Sequence, residues 1–160
     1  MKIINNCLKI KEANELEKLL TSDHFPWFYV QGIVFKGENN FQFTHMFYSE
    51  CVINSTFFDY IRPILKILNP VSIIKIKANL LTKDTKITEH TMHVDVTTKG
   101  AKTAIYYVNT NNGYTKFINK TIVNSEKNKL VIFDSQIPHT GTTCNDQNHR
   151  IVLNFNYFEA

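Results

Sequence analysis

The stretch Arg150-Ile-Val-Leu-Asn-Phe-Asn-Tyr-Phe158 alternates between two kinds of side chain. On an extended chain successive side chains point to opposite faces, so Ile151, Leu153, Phe155 and Tyr157 share one face and Arg150, Val152, Asn154 and Asn156 the other. The apolar face is expected to pack under helices and the polar face to line a cavity. The same period of two recurs upstream, where Ile74, Ile76, Ala78 and Leu80 alternate with Lys75, Lys77 and Asn79. Ala104–Val108, Tyr114–Phe117 and Leu130–Phe133 read as further strands, separated by Lys99-Gly100, Asn111-Asn-Gly113, Ser125–Lys129 and Gly141–Asn148.

Before Ile74 the pattern changes. Ala13, Leu16, Leu19 and Leu20 recur at helical spacing between Glu12, Glu15 and Lys18, which predicts an amphipathic helix over residues 11–20. Phe25–Val30, Gly32–Phe35 and Phe41–Tyr48 are aromatic and β-branched, with Gly37-Glu-Asn-Asn40 as turn chemistry, and predict strands that include a hairpin. Ser55 is expected to cap a second helix carrying Phe57, Phe58, Ile61, Leu65 and Leu68 on one face, with Pro63 in its first turn and Asn69-Pro70 ending it. Two helices followed by a run of short strands predict a mainly β chain with flanking helices, packed as a β-sandwich or jelly roll.

At 160 residues and 43% hydrophobic, the chain is read as one domain with its own core, residues 1–70 supporting a core of residues 71–158. Gly and Pro are few, which argues against low complexity. The net charge of +4 comes from lysines scattered singly, so nothing in the charge pattern supports nucleic-acid binding. Cys7, Cys51 and Cys144 form no CxxC pair and leave one over from any disulfide scheme, and no apolar run approaches the ~20 residues that span a bilayer. The expected setting is cytoplasmic, with no membrane partner.

Three features carry chemistry: His93-Val-Asp95, His139 after the apolar run Leu130-Val-Ile-Phe133, and Arg150 opening the last strand. In an extended His-x-Asp the imidazole and the carboxylate project to the same side and can reach one ion together. A second His from a distant strand completes one face of the ion and leaves the opposite positions open, the arrangement of non-haem Fe(II) oxygenases. A dicarboxylate cosubstrate on such an iron needs a fixed cation away from the metal, and a planar guanidinium accepts a carboxylate through two parallel hydrogen bonds. Arg150 suits that role. His24, His45, His90 and His149 are read as structural, although His90 lies close enough to His93 to compete with it as a ligand.

On these residues the chain resembles the Fe(II)/2-oxoglutarate oxygenases, especially prolyl-hydroxylase-like and small viral, phage or bacterial members. The matching text is His93-Val-Asp95, Ala104-Ile-Tyr-Tyr-Val-Asn109, Gly113-Tyr-Thr-Lys-Phe117, Leu130-Val-Ile-Phe-Asp134, Pro138-His139 and Arg150-Ile-Val-Leu-Asn-Phe155, spread over residues 71–158. Phe25-Pro-Trp27 and Phe43-Thr-His-Met-Phe47 are similar to the N-terminal part of phage-type members. The resemblance implies a double-stranded β-helix, with His93, Asp95 and His139 as iron ligands and Arg150 on the distal carboxylate of 2-oxoglutarate. It implies that Tyr107 shares that carboxylate and that Asn79 touches the cosubstrate. Asn154 and Asn156 fall where the family varies and are candidates for contacts to substrate or behind the ligands. Leu81 departs from the pattern, since many relatives carry a Tyr there. The implied reaction uses Fe(II), 2-oxoglutarate and O2 to hydroxylate a small-molecule or peptide substrate, prolyl or other, with release of succinate and CO2.

Two rivals belong to other classes. A non-catalytic jelly-roll binding module needs none of the three ligands. A zinc-dependent hydrolase can use His, Asp and His with water in the fourth position, but it does not need the Arg150 and Tyr107 clamp.

Overall fold

The computed structural model describes residues 1–35 and 40–159. In chain order the strands are β1 (Lys2–Ile4), β2 (Phe28–Gln31), β3 (Phe41–Ser49), β4 (Val52–Ile53), β5 (Ser72–Thr82), β6 (Lys102–Tyr107), β7 (Tyr114–Phe117), β8 (Ile122–Asn124), β9 (Lys129–Asp134), β10 (His139–Gly141) and β11 (His149–Phe158). The helices are α1 (Ile10–Leu20) and α2 (Arg62–Leu68), with a 3-10 turn at Phe58–Ile61 leading into α2. An eight-stranded sheet runs β1-β9-β6-β11-β5-β3-β2, with β4 also paired to β3, and a three-stranded sheet runs β10-β7-β8. All of these pairings are antiparallel. The mainly β jelly roll with flanking helices expected from the sequence is the fold observed.

The alternation in β11 does what its two faces require. Ile151, Leu153, Phe155 and Tyr157 are buried in a core shared with Ala13, Leu16 and Leu20 of α1 and Ile64 and Leu68 of α2. Burying each such Leu or Ile contributes about 1.5–3 kcal/mol. Neighbouring strands split the same way. Ile76 and Ala78 of β5, Ala104 and Tyr106 of β6 and Leu130 of β9 join the helix-side core. Ile105, Tyr107, Val131, Phe133 and Val152 point the other way and meet Phe117 and Val123 of the small sheet. This second apolar layer lies between the two sheets and floors the candidate site.

Local chemistry sets the ends. The Glu12 carboxylate accepts the Lys9 backbone N–H at 3.1 Å, satisfying a donor at the start of α1. Asn69 ends α2 in the left-handed conformation with φ 45°, and Asn tolerates that region better than most residues. Asn128 accepts the Leu8 N–H at 2.8 Å and donates to the Leu8 carbonyl at 2.9 Å, tying the segment before α1 to the turn before β9.

Several expectations differ from the observed elements. Gly32–Phe35 forms bends and not a strand, Gly32 having φ 85°, a left-handed conformation that breaks a ladder. Ser55 accepts the Phe57 N–H at 3.1 Å in the turn before the 3-10 segment but caps neither that segment nor α2, whose N-caps are Phe57 and Ile61 with no side-chain bond; α2 starts at Arg62, with Pro63 in its first turn. Strands β1, β4, β8 and β10 were not expected, because two or three residues cannot display a period. The turn expected at Gly37-Glu-Asn-Asn40 lies, apart from Asn40, outside the described residues. The three cysteines are unpaired. Among the described residues no helix is long and apolar enough to cross a membrane.

Candidate active site

Two backbone hydrogen bonds build the centre. The His93 N–H donates to the His139 carbonyl and the His139 N–H to the His93 carbonyl, both at 2.9 Å, bridging the segment after β5 to β10. Reciprocal bonds set the two residues directly opposite one another, and their imidazole centroids lie 4.9 Å apart. Asp95 extends to the same side, as the His-x-Asp spacing predicts. Its Oδ1 lies 3.6 Å from His93 Nε2 and its Oδ2 3.7 Å from His139 Nε2. One donor atom from each residue lies within 4.8 Å of the others, a cluster able to hold a metal ion.

The surroundings orient each donor. His93 Nδ1 lies 3.0 Å from the Thr91 carbonyl and His139 Nδ1 3.1 Å from the Ile137 carbonyl. A carbonyl only accepts, so both rings carry their proton on Nδ1 and turn the Nε2 lone pair to the centre, as metal-binding imidazoles require. Phe133 stands edge-on to His139 at 4.8 Å between centroids and restricts its rotation. Asn154 and Asn156 donate to Asp95 Oδ2 at 3.0 and 3.4 Å, and Asn156 also donates to Thr103 Oγ1 at 3.0 Å.

Protonation follows from this environment. Burial alone would raise the Asp95 pKa, but His93, His139 and Asn154 outweigh it and hold the carboxyl well below the usual carboxylate range. Burial also disfavours charge on His93, yet Asp95 and the Thr91 carbonyl prevail and raise its pKa. At His139 burial wins over Asp95, and its pKa is lowered. The centre therefore holds one fixed carboxylate between two imidazoles of opposite protonation tendency.

Arg150 completes the constellation from β11. It is 4% exposed. Its Nε donates to Ser125 Oγ at 2.9 Å, and Nη2 donates to the Tyr114 carbonyl and to Thr115 Oγ1, both at 3.3 Å. Its guanidinium carbon sits 5.8 Å from the centroid of the Tyr107 ring. Among the described residues no carboxylate pairs with it, and burial pulls its pKa down. A buried cation without a counter-charge is costly, and this one lines the same cavity as His93, Asp95 and His139.

No family model matches the sequence, and no curated protein matches it. Solved structures do. The non-heme alpha ketoglutarate dependent epimerase SnoN from nogalamycin biosynthesis superposes with a TM-score of 0.70 at 12% identity, over 99% of this chain and 78% of that one. An oxidoreductase of the 2OG-Fe(II) oxygenase family from Burkholderia pseudomallei gives 0.69 at 12% identity, over 98% and 84%. A Pseudomonas putida prolyl-4-hydroxylase gives 0.68 at 12% identity, over 99% and 92%. This chain has the fold of the 2-oxoglutarate/Fe(II) oxygenases. Likeness at 12% identity is likeness of fold, and an epimerase and a hydroxylase among these structures show that the oxygenase fold carries more than one reaction.

Within the oxygenase fold, the residues singled out from sequence converge unequally. His93, Asp95, His139 and Arg150 line one cavity together with Asn79 and Asn154. Among the described residues the buried Asn79 Oδ1 has no partner, so an acceptor is available on the wall beside the His-Asp-His cluster. Leu81 presents an apolar surface to the cavity. Asn156 stands behind Asp95 and is 1% exposed. His90 lines the cavity but lies outside the three-residue cluster.

Tyr107 stands differently from expectation. It is fully buried and its hydroxyl donates to Thr115 Oγ1 at 2.8 Å. Thr115 lines the cavity and lies between Tyr107 and the guanidinium. Because Thr115 Oγ1 accepts from both Tyr107 and Arg150, its own O–H remains for a third group. Thr115 and Ser125 were not singled out from the sequence. Thr115 carries the period-two signal of β7, but Ser125 sits in a stretch that reads as a turn. Gly113 likewise carries only a turn signal in the sequence, yet a Cβ there would stand 2.7 Å from Arg150 Cδ and 2.9 Å from the Thr143 carbonyl. Only a glycine lets the arginine side chain pass.

Proposed function

We propose that this chain is an Fe(II)- and 2-oxoglutarate-dependent dioxygenase that hydroxylates a small-molecule or peptide substrate, releasing succinate and CO2. The observation that carries the reading is Arg150: a buried guanidinium with no carboxylate partner among the described residues, on the same cavity as a His-Asp-His cluster. Neither a structural cation nor a hydrolytic zinc site needs that combination.

The donor set fits the groups. Two neutral imidazoles and one carboxylate on one side of an ion suit Fe(II) and leave room for cosubstrate and O2. His93, Asp95 and His139 would hold the iron, with Asn154 and Asn156 keeping Asp95 ionised and aimed. Arg150 and the Thr115 hydroxyl would receive the distal carboxylate of 2-oxoglutarate, and Tyr107 would hold Thr115 in place. Asn79 would lie along the cosubstrate. Bound Fe(II) and 2-oxoglutarate supply the oxidising power for inserting oxygen from O2 into a C–H bond. The chain binds and orients these groups and keeps the centre dry with Leu81, Ile105 and Val152, which line the cavity.

The test is titration of 2-oxoglutarate into protein loaded with Mn(II), followed by succinate formation with Fe(II) in air. Binding that depends on the metal and is lost in Arg150→Met supports the reading. Absence of 2-oxoglutarate binding to the loaded wild type, or succinate formation unchanged in Asp95→Ala, refutes it.

A further inference from the structure

Lys77 is a second cation in the cavity. It lies on β5 with Ala78 and Ile76 turned to the helix-side core, so its own side chain faces the site, where it lines the cavity with His93, Asp95 and Asn154. It is only partly exposed. Among the described residues the Lys77 ammonium makes no hydrogen bond and no ion pair. Its register partner on β11 is Asn154, and on β3 it is Met46. Asn154 gives its Nδ2 to Asp95 and has a buried Oδ1 with no partner among the described residues, and Met46 offers only a weak thioether acceptor, so neither neighbour supplies a negative charge. Asp95 is the carboxylate whose charge acts on Lys77, and it is already shared between two imidazoles and two asparagines.

Charge counting shows what remains. On the reading proposed above, on which this inference rests, a divalent ion and the 2-oxoglutarate dianion cancel, as do Asp95 and Arg150. Lys77 is left over. A partly desolvated ammonium without a counter-charge is unfavourable until an anion arrives. A single negative charge balances it, whereas a phosphate dianion would want more donors than one ammonium offers.

We infer that the substrate of this site carries a carboxylate, which Lys77 receives beside the metal cluster. Lys77 then selects the substrate and takes no part in holding metal or cosubstrate.

The probe is trifluoroacetate, with trifluoroacetamide as its neutral counterpart, followed by paramagnetic relaxation of the 19F signal in protein saturated with Mn(II) and 2-oxoglutarate. Relaxation of trifluoroacetate in the wild type should saturate with concentration and exceed that of the amide. In Lys77→Met and in Lys77→Gln apparent affinity for trifluoroacetate should fall roughly tenfold, the loss of one charge-assisted hydrogen bond, while Mn(II) and 2-oxoglutarate affinities hold. Equal relaxation by acid and amide in the wild type overturns the inference. So does unchanged trifluoroacetate affinity in either variant, or loss of 2-oxoglutarate binding in both, which would make Lys77 a cosubstrate residue. Failure of wild-type protein to bind Mn(II) and 2-oxoglutarate at all overturns the oxygenase reading first, and this inference with it.

Discussion

On the proposed function, replacing Gly113 by alanine should weaken 2-oxoglutarate binding through Arg150 while leaving the His93, Asp95 and His139 cluster intact. The new Cβ would meet Arg150 Cδ at 2.7 Å, Asn111 Oδ1 at 2.8 Å and the Thr143 carbonyl at 2.9 Å. Ordinary contacts between carbon atoms are about 3.5–4.0 Å, so close to 1 Å of overlap must be relieved against the arginine. The Thr143 carbonyl is backbone, and Asn111 Oδ1 is held because it accepts the Gly113 N–H at 2.9 Å. Relief therefore falls on the Arg150 side chain, carrying the guanidinium away from Ser125 and Thr115. Overpacking of this kind costs about 1–3 kcal/mol of stability. Loss of a charge-assisted hydrogen bond worth about 1.5–3 kcal/mol raises the Kd for 2-oxoglutarate roughly 10- to 100-fold. Calorimetric titration of Mn(II), then of 2-oxoglutarate, separates the effects, and thermal unfolding reads the stability change. Unchanged metal affinity with weakened 2-oxoglutarate binding is expected. A folded Gly113→Ala protein with wild-type 2-oxoglutarate affinity would refute the assignment of Arg150 as the clamp.

Two further predictions concern the hydroxyls beside Arg150 and a buried histidine elsewhere in the fold. Thr115→Val should weaken 2-oxoglutarate binding more than Tyr107→Phe, since only Thr115 has a hydroxyl proton left for the ligand; the reverse order in the same titration would restore Tyr107 as the direct contact. Protein stability should fall as pH drops below the ordinary imidazole value of 6.5, because burial lowers the pKa of His45 in spite of its bond to the Pro26 carbonyl. The sign is that of a group whose unfolded form binds more protons than its folded form, so stability is present above 6.5 and lost as pH falls toward the folded value. His45 Nδ1 lies 2.8 Å from the Pro26 carbonyl and Nε2 2.7 Å from Ser55 Oγ, so a protonated ring would displace the Ser55 proton. Melting temperatures measured from about pH 8 to about pH 5 should show a shallower acid decline in His45→Gln than in the wild type, and identical slopes would remove His45 as the cause.

Periodicity and spacing in the sequence determined the strands with two unlike faces, the first helix, the later part of the second, and the projection of His93 and Asp95 to one side, while the expectation that His139 and Arg150 join them came from ligand chemistry and the family resemblance. Those properties are local: a strand's faces and a His-x-Asp spacing follow from backbone geometry whatever else the chain does. Only the tertiary structure decided the rest. The reciprocal bridge between His93 and His139 joins residues far apart in sequence, and β10, which supplies one side of it, is too short to show a pattern. Thr115 comes between Tyr107 and Arg150 because β7 belongs to the opposite sheet. Gly113 and Ser125 gain their places from the path of one arginine side chain, and Lys77 stands out because, among the described residues, no carboxylate pairs with it. Which groups face one another across a cavity, and which are left without a partner there, depends on how the two sheets close.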